Sequence, residues 1–116
     1  MNKKISFHFK KKRISIDAEE CSFFRRLSGL MFTRRKNAKA LLFDFKKPSR
    51  MKIHSLFVFF PFLAVWLDEE NNIIDMKKIK PFVFSVSPKK PAFKLVEIPI
   101  NEKYKRIITI FNTSRR

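Results

Sequence analysis

The feature that most constrains the fold is an uninterrupted run of twelve apolar residues, Leu56 to Leu67. A membrane-spanning helix needs about 20 apolar residues, whereas this run is shorter, rich in Phe and Val, and broken by Pro61. We therefore predict that it does not cross a membrane. Because proline interrupts a strand ladder, the run divides into two buried strands, from Ile53 to Phe60 and from Phe62 to Leu67. Continuous apolarity predicts that both faces of these strands are covered.

Two different patterns follow one another near the N-terminus. Apolar and polar residues alternate from Ile5 to Phe9 and again from Ile14 to Ile16, which predicts a hairpin with a basic bend between its strands. Asp17 and Glu20 then match a capping box, and Gly29 matches a helix stop. We therefore predict one short helix over this stretch.

The remainder of the chain predicts further strands and no second domain. The asparagines of the Asp68 to Asn72 segment tolerate positive φ and favour a tight turn, and residues 112–116 are expected to fray. The predicted strands are Lys39 to Phe45, Asn72 to Ile79, two within Lys80 to Ile100, and the β-branched Lys105 to Phe111. This pattern predicts one all-β domain over residues 1–111, a small sandwich or barrel with one short helix near the N-terminus.

The sequence lacks the residues that several classes of functional site require. Gly29 is the only glycine, which argues against the glycine-rich phosphate-binding loops of nucleotide-binding folds. The lone Cys21 cannot form an internal disulfide, and the N-terminal alternation does not match a signal peptide, so we expect an intracellular, cytoplasmic protein. No paired-cysteine or HExxH pattern supports a metal, and we expect no cofactor.

Positive charge is the strongest signal of function at the level of residues. The chain has 27 Lys and Arg against 10 Asp and Glu, a formal net charge of +17, and such a field attracts polyanions, nucleic acid included. The alternative is a solvated basic surface, since Phe, Ile, Lys and Asn are together the residues of A/T-rich codons. The candidate ligand or polyanion contacts are Arg34, Arg35, Lys36, Arg50, His54, Lys77, Lys78 and Lys80.

Catalysis has weaker support. Cys21 with His8 or His54 would make a nucleophile and a base, but Cys21 falls on the inward face of the predicted helix, where a buried thiol is the ordinary outcome. The carboxylates of Asp68, Glu69 and Glu70 fall in a surface turn, where such groups are usually just solvated.

Six segments together resemble the domain-of-unknown-function family 192, most closely its archaeal branch, and the resemblance spans Ile14 to Pro99. It implies a small β-sandwich or barrel of jelly-roll type and supplies no activity or catalytic residues. Members of this family tend to have an aliphatic residue and an aspartate where this chain has Phe62 and Leu63, and a glycine where it has Ile100 and Asn101. The segments are GLMF (29–32), LLFDF (41–45), IHSLFVFFP (53–61), VWLDEENNIID (65–75), KPF (80–82) and PKKPAFKLVEIP (88–99).

These observations favour a non-enzymatic binding module for a small ligand, a peptide or a protein partner, with a pocket in or at the mouth of the β-structure. The alternative is sequence-nonspecific binding of nucleic acid or another polyanion through basic loops. If the sheet around Phe57 to Phe62 is not fully covered within the chain, a homo-oligomer is a further alternative.

Overall fold

The computed structural model describes residues 2–21, 34–50, 52–53, 58–83 and 85–114. Within these residues, two short 3-10 turns, Arg35–Asn37 and Glu102–Tyr104, accompany six strands and one helix. The elements are β1 (Asn2–Phe9), β2 (Lys12–Glu20), β3 (Leu41–Ser49), β4 (Phe62–Leu67), β5 (Ile73–Ile79), β6 (Ala92–Pro99) and α1 (Lys105–Ser114). No helix of these residues has the length and apolar character needed to span a membrane.

The six strands of the described residues form one curled sheet in the order β1-β2-β3-β6-β4-β5. Its neighbours are antiparallel except for the short parallel pairing of β2 with β3 at Glu19–Leu41. A parallel bridge joins His8 on β1 to Asn72, just before β5. Because β1 and β5 are the two edge strands, this bridge shows that the sheet curls until its edges meet at one point.

Apolar clusters cover both faces of the sheet. Helix α1 packs on one of them, the helix-side face, and the opposite one is the far face. Strand β4 contributes alternate residues to both clusters, and all six of its residues are buried. The prediction that both faces of this strand are covered is therefore confirmed. The helix-side cluster includes Phe7, Leu42, Val65, Val96, Tyr104 and Phe111. The far-face cluster includes Phe43, Phe60, Phe62, Trp66 and Leu95.

The N-terminal hairpin is confirmed, whereas the helix predicted to begin at Asp17 is wrong. Strand β2 continues to Glu20 because Asp17 pairs with Lys4 of β1 and the residues after it keep the ladder. Ala18 is buried like the isoleucines before it, so the two-residue period of burial persists. Strand pairing therefore outweighed the local preference of the capping-box residues for a helix start. Residues 22–33, the rest of the predicted helix, lie outside the described residues.

The C-terminal strand prediction is also wrong, because Lys105–Ser114 is a helix. The helix starts where the 3-10 turn ends and includes residues 112–114, which the sequence predicts to fray. Tyr104, Ile108 and Phe111 are buried against the sheet, and their spacing is that of one helical face. The helical period, together with an apolar surface to cover, outweighed the β-propensity of isoleucine and threonine.

The apolar run divides at Pro61, and its second half is a strand. Strand β4 confirms the predicted segment from Phe62 to Leu67. In the first half, Ile53 forms an isolated antiparallel bridge with Val86, residues 58–60 are not in a strand, and residues 54–57 lie outside the described residues. Two strands were predicted within residues 80–100, and the described part of that stretch contains one, β6. The turn before β5 is confirmed, with Asn71 at φ 66°.

Candidate functional site

Three strands end together at one side of the sheet. Phe62, the first residue of β4, pairs with Ile79 at the end of β5 and with Pro99 at the end of β6. Residues immediately beyond these positions therefore lie near one another. A hydrogen bond shows this directly, since the Ile100 N–H donates to the Pro61 carbonyl oxygen at 3.1 Å.

Positively charged residues gather at this end. The Arg35–Asn37 turn reaches it because Arg35 Nε donates to the Ile100 carbonyl oxygen at 2.7 Å. Lys80 follows the last residue of β5, and helix α1 begins nearby at Lys105. All of these cationic side chains are exposed. We call this surface the cationic end, defined by Arg34, Arg35, Lys36, Lys80 and Lys105.

A cavity of about 510 Å³ opens at the cationic end, between the Arg35–Asn37 turn and helix α1. Ile100 and Ile108 supply an aliphatic wall, and Arg35, Lys36 and Lys105 supply cationic groups. Its volume lies within the range of small-ligand sites, roughly 300–1,000 Å³. The arrangement can hold a molecule with an apolar body and an anionic group.

Asn101 and Arg35 fix the position of this cavity's wall. Asn101 Nδ2 donates to the carbonyl oxygens of Arg35 at 2.7 Å and Ala38 at 3.0 Å. Arg35 in turn donates to Ile100, so the turn and the residues after β6 each donate hydrogen bonds to the other. Arg35 uses its Nε in this way, which leaves the terminal nitrogens of the guanidinium to face an anion.

The start of helix α1 adds to the positive potential of the cavity. Lys105 is the first residue of the helix and Arg106 the second, with no acidic residue in the first turn. Helix N-termini already carry partial positive charge, so cations there are unfavourably placed for helix stability. A bound anion would relieve this repulsion. Among the described residues that line the cavity, Glu102 has the one acidic side chain.

Arg50 and Lys77, two of the other predicted contacts, instead hold a loop. Lys77 Nζ donates to the Ser87 carbonyl oxygen at 2.7 Å, and Arg50 Nη2 donates to the Lys89 carbonyl oxygen at 3.1 Å. Asp75 joins the same loop by accepting from the Lys89 N–H at 3.0 Å. These contacts give both cations a structural role in securing residues 87–89.

Strand geometry separates the neighbouring pair Lys77 and Lys78. Lys77 pairs with Ala64 of the far-face cluster, whereas Lys78 pairs with Leu63 of the helix-side cluster. Because successive side chains of a strand point to opposite faces, the two lysines do not act on one ligand together. Among the eight predicted contacts, Arg34, Arg35, Lys36 and Lys80 lie at the cationic end, and His54 lies outside the described residues.

The candidate catalytic residues within the described part of the chain have ordinary structural environments. Cys21 is buried, and its thiol donates to the Glu19 carbonyl oxygen at 3.4 Å. His8 is exposed on edge strand β1. Asp68 Oδ1 accepts from the backbone N–H groups of Glu70 at 2.9 Å and Asn72 at 2.8 Å, so this carboxylate shapes the turn.

Sequence reasoning missed Lys105, Ile108 and Thr109 because it assigned them to a strand. The available signal was the spacing of Tyr104, Ile108 and Phe111, which places apolar residues on one side of a helix.

Comparison with known proteins identifies the family. Residues 4–109 match the model of DUF192, described as Uncharacterized ACR. The chain belongs to the DUF192 family. The resemblance to this family predicted from sequence is confirmed, and the match extends beyond the Ile14 to Pro99 segment on which the prediction relied.

This DUF192 protein is similar to two archaeal proteins. A UPF0127 protein of Thermococcus sibiricus is 33% identical over 81 residues, covering 68% of this chain and 51% of the relative. A UPF0127 protein of Pyrococcus furiosus is 34% identical over 80 residues, covering 67% of this chain and 66% of that protein. The matched part of the DUF192 chain thus spans about half the length of the first relative.

The fold is shared more widely than the sequence. The crystal structure of a protein of unknown function from Novosphingobium aromaticivorans matches this DUF192 protein with a TM-score of 0.72 at 13% identity, covering 90% of this chain and 77% of the other. Similarity at this identity concerns the fold alone. Ile100 and Asn101, the two residues that follow β6, both line the cavity of this DUF192 protein.

Proposed function

We propose that this protein is a non-enzymatic binding module that takes an anionic ligand with an apolar part into the cavity at the cationic end. The observation that carries the proposal is the meeting of Arg35, Lys36 and Lys105 around an aliphatic wall in a cavity of about 510 Å³. Pockets that are mainly apolar, with a few polar groups in fixed positions, are the usual form of small-molecule sites.

Charge supports an anion as the polar part of the ligand. The three cations stand close enough to line one cavity, and the protein as a whole carries a formal net charge of +17. A net positive field raises the local concentration of anions and speeds their association, most strongly at low salt. Ile100 and Ile108 favour an apolar portion of the same molecule, because its transfer out of water is favourable.

A direct test uses 8-anilinonaphthalene-1-sulfonate, an apolar anion whose fluorescence rises in an apolar site. We expect saturable binding to the native protein at low salt. Lys105→Ala should weaken binding by about two- to five-fold, as expected for removing one exposed charge. Thr109→Phe should weaken it further, because the larger side chain occupies the cavity that Thr109 lines.

Arg106→Ala is the matched control for Lys105→Ala. Both changes remove one exposed positive charge from the first turn of helix α1, but only Lys105 lines the cavity. Equal weakening by the two variants would mean that the probe senses net charge and not the cavity. Unchanged binding in the Thr109→Phe variant would place the probe elsewhere and contradict the proposal.

A further inference from the structure

Two phenylalanine rings are exposed to solvent and touch each other. Phe59 is 60% exposed and Phe82 is 58% exposed, and they are the large hydrophobic residues of the described chain with mainly exposed surface. Their ring centroids lie 5.7 Å apart with an interplanar angle of 74°, an edge-to-face contact. Such pairs are common in cores, but here most of the surface of each ring remains in water.

The adjacent ends of β4 and β5 place this pair at the cationic end. Phe62 is opposite Ile79 at the last rung of the β4–β5 ladder. Phe59 lies three residues before Phe62 and Phe82 lies three residues after Ile79, and their rings are in contact. Phe59 is two residues before Pro61, whose carbonyl oxygen accepts from the Ile100 N–H, so the aromatic pair lies past the same strand ends as Ile100 and the cavity.

The backbone at Phe82 is unfavourable for the residue that occupies it. Phe82 has a φ of 64°, in the left-handed region that costs a residue with a Cβ about 1–2 kcal/mol. Glycine or asparagine adopts this conformation more easily. Burial does not offset the cost, since the ring is mainly exposed. Strain combined with an exposed aromatic ring points to a role in binding.

We propose that Phe59 and Phe82 form a base-stacking platform and that the ligand of the cationic end is a single-stranded nucleic acid. Binding of single strands without sequence preference combines a cationic path for phosphates with aromatic rings on which bases stack. Arg35, Lys36 and Lys105 supply the phosphate contacts. The inference rests on the proposed function for the binding of the ligand's anionic groups. The two rings add the chemical class of the ligand.

Single strands fit this surface better than a duplex or a second copy of the chain. The faces of duplex bases are hidden in the stack, so two exposed rings have nothing to stack upon there. Self-association through the rings would bring two molecules of formal net charge +17 together, and like charges oppose such contact. A flexible polyanion with exposed base faces matches both the charge and the aromatic pair.

The experiment measures fluorescence anisotropy with two labelled probes at several salt concentrations. One probe is an oligothymidylate of about 12 nucleotides, and the other is an abasic oligonucleotide of equal length. We expect the base-bearing probe to bind at least about five-fold more tightly, because stacking one base contributes that much or more. Affinity for both probes should fall steeply as salt rises.

Variants of the platform separate stacking from charge. Phe82→Asn tolerates the left-handed backbone and removes the ring, so it should abolish the preference for the base-bearing probe and leave abasic binding unchanged. Phe82→Tyr keeps an aromatic ring and should retain the preference. Lys105→Ala should weaken both probes alike. Urea unfolding of each variant confirms that it remains folded under the assay conditions.

Each outcome decides between the platform and the anion site. Equal binding of the two probes, both weakened by Lys105→Ala, would overturn the stacking platform and leave the anion site intact. Failure of both probes and of the naphthalenesulfonate probe would overturn the two proposals together. A native mass that doubles with concentration and is restored to monomer by Phe82→Asn would instead assign the rings to contact between copies of the chain.

Discussion

Replacing Tyr104 with phenylalanine tests how the turn that precedes helix α1 is held to the residue that precedes β3. The Tyr104 hydroxyl oxygen accepts a hydrogen bond of 2.6 Å from the backbone N–H of Ala40, and both residues are buried. Tyr104→Phe keeps the ring and removes the acceptor, which leaves the Ala40 N–H without this partner. A buried donor left unpaired costs about 1–3 kcal/mol. We expect the free energy of unfolding to fall by that amount.

The assay is urea unfolding at neutral pH, with thermal unfolding beside it. The urea midpoint should fall with an unchanged slope, because the surface exposed on unfolding is the same. The melting temperature should fall by about 4 °C for each kcal/mol. Thr109→Ala is the control, since the Thr109 hydroxyl donates to the Lys105 carbonyl oxygen at an exposed site, where loss of the bond should cost less than about 0.5 kcal/mol.

The pH dependence gives a second, independent measurement. Burial raises the pKa of Tyr104 above its ordinary value of 10.0, with the Asp17 charge acting in the same direction and the Ala40 hydrogen bond opposing. The unfolded chain therefore loses this proton first as pH rises. The protonated Tyr104 hydroxyl contributes stability that is fully present below its pKa in the unfolded chain and is lost as pH rises through its pKa in the folded protein. The Tyr104→Phe variant lacks this loss.

The stability gap between native protein and Tyr104→Phe should therefore narrow as pH increases above 10. All other ionisable groups are common to both proteins, so their effects largely cancel in the difference. A gap below about 0.5 kcal/mol at neutral pH would refute the assigned hydrogen bond. A gap that widens in alkali would refute the direction of the pKa shift.

Two further substitutions test packing and the turn. Phe111→Ala should lower the free energy of unfolding in urea by about 3–5 kcal/mol. The Phe111 ring is buried, and its centroid lies 4.9 Å from that of Phe9 and 6.4 Å from that of Phe7. A loss under about 1 kcal/mol would mean that the helix packs elsewhere. Asp68→Ala removes a carboxylate that accepts three hydrogen bonds in the turn before β5, so the free energy of unfolding should fall by about 1 kcal/mol. The exposed Glu69 is the control, and Glu69→Ala should leave stability unchanged. Equal effects of the two substitutions would contradict the role of Asp68 in the turn.

The candidate site was predictable only in part. Clusters of arginine and lysine were enough to single out Arg34, Arg35 and Lys36, because charge is visible in a linear sequence. The separation of Arg50 and Lys77 from the cationic end was not visible, since it depends on which loop each side chain meets. Nor could the sequence show that Phe59 and Phe82 are exposed, because Phe59 adjoins the buried Phe60 in the apolar run and Phe82 falls in a stretch predicted to form strands.

The sequence by itself determined the elements whose signal is local. Alternation predicted β1 and the start of β2, and the asparagine-containing turn predicted the hairpin of β4 with β5, because period and turn chemistry act between residues a few positions apart. Only the tertiary structure decided between strand and helix at Asp17 and at Lys105. At Asp17 the pairing of β2 with β1 outweighed a capping box, and at Lys105 an open apolar face of the sheet selected the helix. Both choices depend on partners far away in sequence, whose burial contributes more free energy than local propensity.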